Sequence, residues 1–218
     1  KSNQEIEIKL RVRDAQALRL LLKRLRASEV IPRTYESNTL FDTQSRDLAR
    51  RGQLIRVRIE HPTSGGSRGR RSQPGTTVLT YKGPSRLVPV SQAAPRKRTN
   101  RSRFKIRDEI EVTVGNGAQM GAILRALALR PVFRYEKYRT TYLLPGISNL
   151  KVEVDETPVG LFLELEGGAS AIDRAAKLLR YARSDYITET YGALYLADCR
   201  RRGTRPLNML FQPSKKLH

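Results

Sequence analysis

The sequence predicts an α+β fold: a closed antiparallel eight-stranded β-barrel, in effect a tunnel with a charged lumen, with helices packed outside it. The first observation behind this is the stretch Glu5-Ile6-Glu7-Ile8-Lys9-Leu10-Arg11-Val12, in which every second residue is charged and the others are aliphatic. A strand sends alternate side chains to opposite faces, so this segment has one ionic and one apolar face. The second is recurrence: Ile55 to Glu60, Arg107 to Val112, Lys151 to Asp155 and Leu161 to Glu166 repeat the pattern, with carboxylates and guanidinium groups on the polar side. If such strands close into one barrel, their ionic faces line a common lumen, where the charges need partners or ligands because uncompensated buried charge is very costly. The third is that the intervening segments have the helical period needed to cover the aliphatic faces.

In chain order, Asp14 can cap a helix whose Leu18, Leu21, Leu22 and Leu25 fall on one stripe, opposite Arg19, Lys23, Arg24 and Arg26. Tyr35 to Asp42 and Gln53 to Glu60 read as strands separated by a turn at Arg51-Gly52, and Thr76 to Lys82 as a third. From Gly117 to about Leu129 a second helix offers Met120, Ile123, Leu124 and Leu127 as a packed face. Lys137 and Arg139 begin the next strand pair, Pro145-Gly146 turns into Leu150 to Asp155, and Gly160 permits a close approach ahead of Leu161 to Glu166. Ser170 with Asp173 resembles a capping box for a helix carrying Ile172, Ala176 and Leu179. A last helix, around Glu189 to Arg200, is expected to close one end of the barrel. One tunnel domain over residues 1–200 accommodates all of this, interrupted by basic loops at about 61–75 and 85–104 and followed by a basic tail over 201–218.

A formal net charge of +21 on 218 residues implies a polyanionic ligand: a phosphate chain, a nucleic acid or an anionic surface. No acidic residue lies between Glu60 and Asp108, so much of that charge sits in the two loops. One cysteine and two histidines exclude a disulfide framework and a Cys/His zinc site, which leaves oxygen ligation for any metal. No apolar run approaches membrane-spanning length and no signal-like segment precedes the first strand, so a cytoplasmic location without membrane contact is the expectation.

The motifs together resemble the CYTH, or triphosphate tunnel metalloenzyme, family of class IV adenylyl cyclase and thiamine triphosphatase. The resemblance rests on the ExExK signature at Glu5, Glu7 and Lys9, the strand Asn38 to Asp42, and Leu48 to Arg58 with Ile55 where the family has Leu. It continues through Leu79-Thr80-Tyr81-Lys82-Gly83, Arg107-Asp108-Glu109-Ile110-Glu111, Lys137-Tyr138-Arg139, and Asp155 to Gly160 running into Glu164-Leu165-Glu166. It covers roughly Gln4 to Cys199. The resemblance implies a metal set of Glu5, Glu7, Asp155, Glu164 and Glu166 and a phosphate-binding set that includes Lys82 and Arg107. It also implies that Glu109 and Glu111 are acidic tunnel positions, although either could simply pair with Arg107 and its neighbours.

Spacing supplies its own chemistry beside the resemblance. Carboxylates at i and i+2 of a strand stand about 6.5 to 7 Å apart at the backbone, so Glu5 with Glu7, and Glu164 with Glu166, can converge on hard cations, Mg²⁺ or Mn²⁺. Arg56 and Arg58 can clamp phosphate oxygens from one wall. With Lys9, Lys82, Lys137 and Arg139 they can hold a triphosphate, where neutralising developing charge is most of catalysis. With no separate nucleophile and no histidine base in the pattern, Glu5, Glu7, Lys9, Glu164 and Glu166 form the candidate catalytic set. Three functions fit: a divalent-metal-dependent phosphohydrolase acting on tripolyphosphate or a nucleoside or thiamine triphosphate, a class IV-type adenylyl cyclase, and a non-catalytic polyphosphate or RNA-binding module. The absence of an interleaved aromatic set on the lumen faces favours the hydrolase with a small triphosphate or polyphosphate substrate; nucleic acid is the less favoured partner.

Overall fold

The computed structural model describes residues 3–63, 75–89 and 103–212. Its nine strands are β1 (Asn3–Val12), β2 (Ser28–Asp42), β3 (Leu54–Pro62), β4 (Thr76–Lys82), β5 (Arg86–Pro89), β6 (Arg103–Val114), β7 (Arg130–Leu143), β8 (Leu150–Thr157) and β9 (Gly160–Gly167). Hydrogen bonding runs β1-β9-β8-β7-β2-β3-β4-β6, and β6 pairs back to β1, so eight antiparallel strands close a barrel. The short β5 adds to β6 as a ninth.

The period-two alternation sets which side faces in. Ile8, Leu10, Val152, Leu163 and Leu165 point outward and are at most 0% exposed, because α1 (Ala15–Arg24) and α4 (Ala169–Leu178) cover them with Leu18, Leu22, Ile172, Ala175 and Ala176. Elsewhere α3 (Gly117–Ala126) packs Leu124 and Met120 on Phe41 and Val57. The one-turn α2 (Asp47–Arg50) has no side-chain cap from Arg46, but the buried Asp42 carboxylate accepts from the amides of Thr43, Leu48 and Ala49 at 2.7–3.0 Å. At the β8–β9 turn Gly160 has φ +127°, and a Cβ there would lie 3.1 Å from Arg11 Nη1, so only glycine is unstrained.

Several boundaries differ from those expected. β2 begins at Ser28 rather than Tyr35, because its first residues pair with the far end of β7 through register shifts at Glu29/Ile31 and Ile31/Thr34. β7 begins at Arg130, seven residues before Lys137. The expected capping box at Ser170 is absent: the N-cap of α4 is Gly168, with no side-chain cap, and Asp173 instead bonds Arg183 and Tyr186. Of the expected face of α3, Ile123 and Leu127 are exposed, since only Met120 and Leu124 reach the sheet.

The last helix, α5 (Tyr191–Arg202), is capped by Thr190, and the backbone of Ile187 is hydrogen-bonded in both directions to Lys9 at 2.8 and 2.9 Å. The segment after α5 folds back along β7. Met209, 1% exposed, exchanges backbone bonds with Arg134 and Glu136, and the Phe211 amide donates to Glu136. Most of the predicted basic loops, 64–74 and 90–102, and the chain end 213–218 lie outside the described residues. Among the described residues no helix is long and apolar enough to cross a membrane.

Leu10 fills the layer shared by β1, α1 and α4, so Leu10→Ala should lower unfolding free energy by about 2–5 kcal/mol in urea titration. Leu20→Ala, at a side chain 63% exposed on the outer face of α1, should stay within about 0.5 kcal/mol.

Candidate active site

The barrel encloses a cavity of about 320 Å³ whose described lining includes nine carboxylates and nine lysines or arginines. The lumen is therefore close to charge-balanced, and the net +21 of the chain resides outside it. This corrects the simplest use of composition: the high net charge is no evidence for the tunnel's own ligand.

Neighbouring strands supply opposite charges, and the side chains pair in three groups. At the β1–β6 wall, Lys82 Nζ lies 2.6 Å from Glu5 and 3.1 Å from Glu109. Glu7 pairs with Lys9 at 3.2 Å and also with Lys105. On the β3–β4 wall, Arg56 donates to Tyr135 Oη, Thr80 and Glu111, each at 3.2 Å, while Arg58 holds Glu60 at 2.7 Å and reaches Glu111 at 3.7 Å. On the β7–β8–β9 wall, Arg139 is bidentate to Asp155 at 2.6 Å, lies 3.1 Å from Glu164 and contacts Glu153 and Glu36; Lys137 reaches Asp155 at 3.1 Å and Glu36 at 3.5 Å. Lys9 joins the walls at 3.0 Å from Glu164.

The sequence-derived residues fall into different layers. Glu5, Glu7, Lys9, Arg56, Arg58, Lys82, Glu109, Glu111, Lys137, Arg139, Glu164 and Glu166 all line the cavity. Arg107 lines it too, but its guanidinium donates to the carbonyls of Gly83 and Gly52 at 2.9 and 2.7 Å, stapling two turns. Asp155 is 0% exposed and lies outside the lining, behind Lys137, Arg139 and the Tyr191 hydroxyl. Sequence reasoning missed Lys105, Glu36 and Glu153. Each stands two residues from a position already singled out (Arg107, Asn38 and Asp155), so strand parity was signal enough. It also missed an aromatic end wall: Phe133, Tyr135 and Tyr191 line the lumen where α5 meets it, whereas Phe162 is fully buried and edge-on to Tyr191. The sequence showed no interleaved aromatic set on the lumen faces, and the structure adds three rings gathered at one end of the tunnel. Tyr191 arrives from a helix, where strand parity gives no warning.

Like charges also meet directly. Glu7 is opposite Glu166, and Glu153 opposite Glu164, in the strand registers, an arrangement that costs stability unless a cation lies between. Among the described residues no three acidic side chains already converge as a cation site; each faces an ammonium or guanidinium instead. The donor set is all oxygen, and these facing pairs fit a hard divalent cation.

Electrostatics separates the carboxylates. Burial and the neighbouring Glu164 and Asp155 push Glu153 up to about 8, against the pull of Arg139. Burial and Glu5 raise Glu109 to about 7 despite Lys82. Burial acts the same way on Glu7 and Glu36, but facing cations, Lys9 and Lys137 first, hold both at about 2. Burial lowers Lys105 more than Glu7 restores it.

These opposed shifts predict a pH optimum for the metal-free fold. Glu7 and Glu36 contribute stability above 4.5 that is lost as pH falls toward 2. Glu153 binds a proton more tightly folded than unfolded, so its contribution is present below 4.5 and is lost as pH rises through about 8. Thermal melts of Glu153→Gln should therefore show a smaller loss of melting temperature between pH 6 and 9 than wild type; an unchanged slope would remove Glu153 as its source.

Three comparisons with known proteins bear on this site. Residues 3–191 match the CYTH domain family. A Methanocaldococcus jannaschii protein named provisionally as an adenylate cyclase is 27% identical over 176 residues, covering 80% of this chain and 83% of that one. Among solved structures, a Vibrio parahaemolyticus protein also carrying a provisional adenylate cyclase name superposes with TM-score 0.66 at 16% identity, over 89% of this chain and 98% of that one. A Hippeastrum protein, described as a provisional adenylyl cyclase with a dominant triphosphatase activity, gives TM-score 0.56 at 18% identity, over 93% and 97%. A closed barrel with ionic strand faces inward, and a family match across most of its length, lead to one assignment: the chain belongs to the CYTH family.

Proposed function

We propose that the protein is a divalent-metal-dependent phosphohydrolase that binds a triphosphate, inorganic tripolyphosphate or the triphosphate of a nucleoside or thiamine, in the tunnel. The observation that carries this reading is the paired charge of the lumen: nine cations matched to phosphate oxygens interleave with nine carboxylates matched to hard metals. In this reading the ion pairs are placeholders. Lys9, Arg56, Arg58 and Lys82 exchange their lumen carboxylates for phosphate oxygens, and Lys137 and Arg139, held from behind by Asp155, exchange Glu36, Glu153 and Glu164 for them. Arginine forms bidentate, charge-assisted bonds with phosphate. Lys105 adds a further ammonium beside Glu7.

Glu5, Glu7, Glu164 and Glu166 would hold Mg²⁺ or Mn²⁺, with Glu153 as a further donor opposite Glu164. When bound, such a metal supplies charge neutralisation on the phosphates and a water activated at neutral pH. The chain's residues grip the phosphate chain from three walls, align it and shield it from bulk solvent. A CYTH barrel among whose structural neighbours is a protein described as having a dominant triphosphatase activity supports the hydrolytic reading.

The cyclase reading has one observation in its favour, the aromatic end wall of Phe133, Tyr135 and Tyr191, which could border an adenine. The ring faces are already engaged: Phe133 packs against Tyr135 and Tyr195, and Tyr191 faces the Lys9 and Lys137 ammonium groups. Hydrolysis is therefore the better supported reaction.

Purified protein with Mg²⁺ or Mn²⁺ should release orthophosphate from tripolyphosphate faster than it makes cyclic AMP from ATP, with products separated by ion exchange. Cyclic AMP with stoichiometric pyrophosphate, and no orthophosphate from tripolyphosphate, would make the cyclase reading right. Glu5→Gln with Glu166→Gln should lower turnover by at least about a hundredfold while the far-ultraviolet circular dichroism stays native; full activity of that variant, or of wild type in excess chelator, would contradict the metal requirement.

A further inference from the structure

α5 sends one side chain into the centre of the ion-pair network. Tyr191 is 7% exposed, and its hydroxyl donates to Asp155 Oδ2 at 2.6 Å. Its ring faces two ammonium groups, Lys9 Nζ at 5.1 Å and Lys137 Nζ at 5.5 Å from the centroid, and its edge rests on buried Phe162. Asp155 in turn carries Lys137 and both arms of Arg139. One phenol thus touches, directly or through a single carboxylate, three of the cations that line the tunnel.

We propose that Tyr191 is a positioning residue for phosphate binding: its hydroxyl offsets part of the Asp155 charge and its ring backs Lys9 and Lys137, so that these ammonium groups and Arg139 present to the lumen. The inference rests on the reading that the tunnel binds a triphosphate. It follows from what Asp155 would do alone. A fully buried carboxylate with one donor missing sets a stronger negative field at the adjacent phosphate site and draws Lys137 and Arg139 back toward itself. The hydroxyl fills that acceptor position without adding charge. Burial, together with the charges of Asp155 and Glu164, keeps the phenol protonated far above its usual range, so it serves as a donor at every working pH. Its placement is rigid, because Thr190 caps α5 and Ile187 is hydrogen-bonded to the backbone of Lys9 itself.

A second consequence concerns Asp155. In this arrangement it anchors cations from behind the lumen wall, rather than ligating metal as the family resemblance implied. Loss of the Tyr191 hydroxyl should therefore weaken phosphate binding and leave metal binding alone.

The test titrates metal-free protein with inorganic tripolyphosphate in a calorimeter, in chelator, for wild type, Tyr191→Phe and Tyr191→Leu, and separately measures Mn²⁺ binding by water-proton relaxation. Tyr191→Phe should raise the tripolyphosphate Kd roughly tenfold, the effect of one hydrogen bond to a charged group, and Tyr191→Leu further, through the lost ring contacts. Mn²⁺ affinity should stay within about twofold, which also reports a folded barrel, and in turnover the loss should appear in KM with kcat within about threefold. Wild-type tripolyphosphate binding by Tyr191→Phe would overturn the inference, as would a fall in Mn²⁺ affinity parallel to the phosphate loss. Failure of the wild-type protein itself to bind tripolyphosphate would overturn the proposed function, and this inference with it.

Discussion

Charge taken out of water must be paired, and among the described residues this barrel lines one lumen with nine acidic and nine basic side chains, of which the deepest, such as Glu7, Lys9, Glu36, Lys137 and Glu164, are almost fully buried. Removing either member of such a buried pair strands its partner, at a typical cost of about 3–5 kcal/mol. The strand alternation, the antiparallel order and the outer helices all serve this constraint. Period two delivers ionic residues to one face, antiparallel registers place Lys9 beside Glu164 and Arg139 beside Asp155, and the helices bury the aliphatic face that alternation leaves behind.

The same pairing shapes function. In the proposed reading a cavity satisfied by internal ion pairs is exchangeable: a phosphate chain would take over lumen cations and a metal lumen carboxylates, each in kind. The shared lysines mark where exchange is easiest. Lys82 is divided between Glu5 and Glu109, and Lys9 between Glu7 and Glu164, so each can leave one carboxylate without stranding itself. Outside the lumen, exterior acids such as Glu156, Asp47, Asp173 and Asp198 are locally paired with arginines.

The barrel and most of its lining were legible in the sequence because both follow from one rule, side-chain parity along a strand. Glu5, Glu7, Lys9, Arg56, Arg58, Glu164 and Glu166 were found that way, and Lys105 and Glu153 could have been. Parity gives a face but not a depth. Asp155 shares the inward face, yet two long cations and a phenol lie over it, and nothing local encodes that. Residues brought from outside the sheet escape the rule altogether, which is why Tyr191 was missed and why the return of Met209 onto β7 was read as a basic tail. Helix caps divide in the same way: Asp14 caps α1 as its side chain suggests, whereas at Ser170 the side-chain pattern of a cap is present but the helix starts two residues earlier, from Gly168, with no side-chain cap.

The central claim is that lumen cations and carboxylates are exchangeable partners, released together. It is tested most directly by titrating the protein with tripolyphosphate at several fixed concentrations of Mg²⁺, and with Mg²⁺ at several fixed concentrations of a non-hydrolysable triphosphate. Exchange predicts reciprocal positive linkage beyond the solution affinity of metal for triphosphate, because each ligand frees the groups the other needs. Affinities for metal and triphosphate that are independent once their solution complex is accounted for would contradict it.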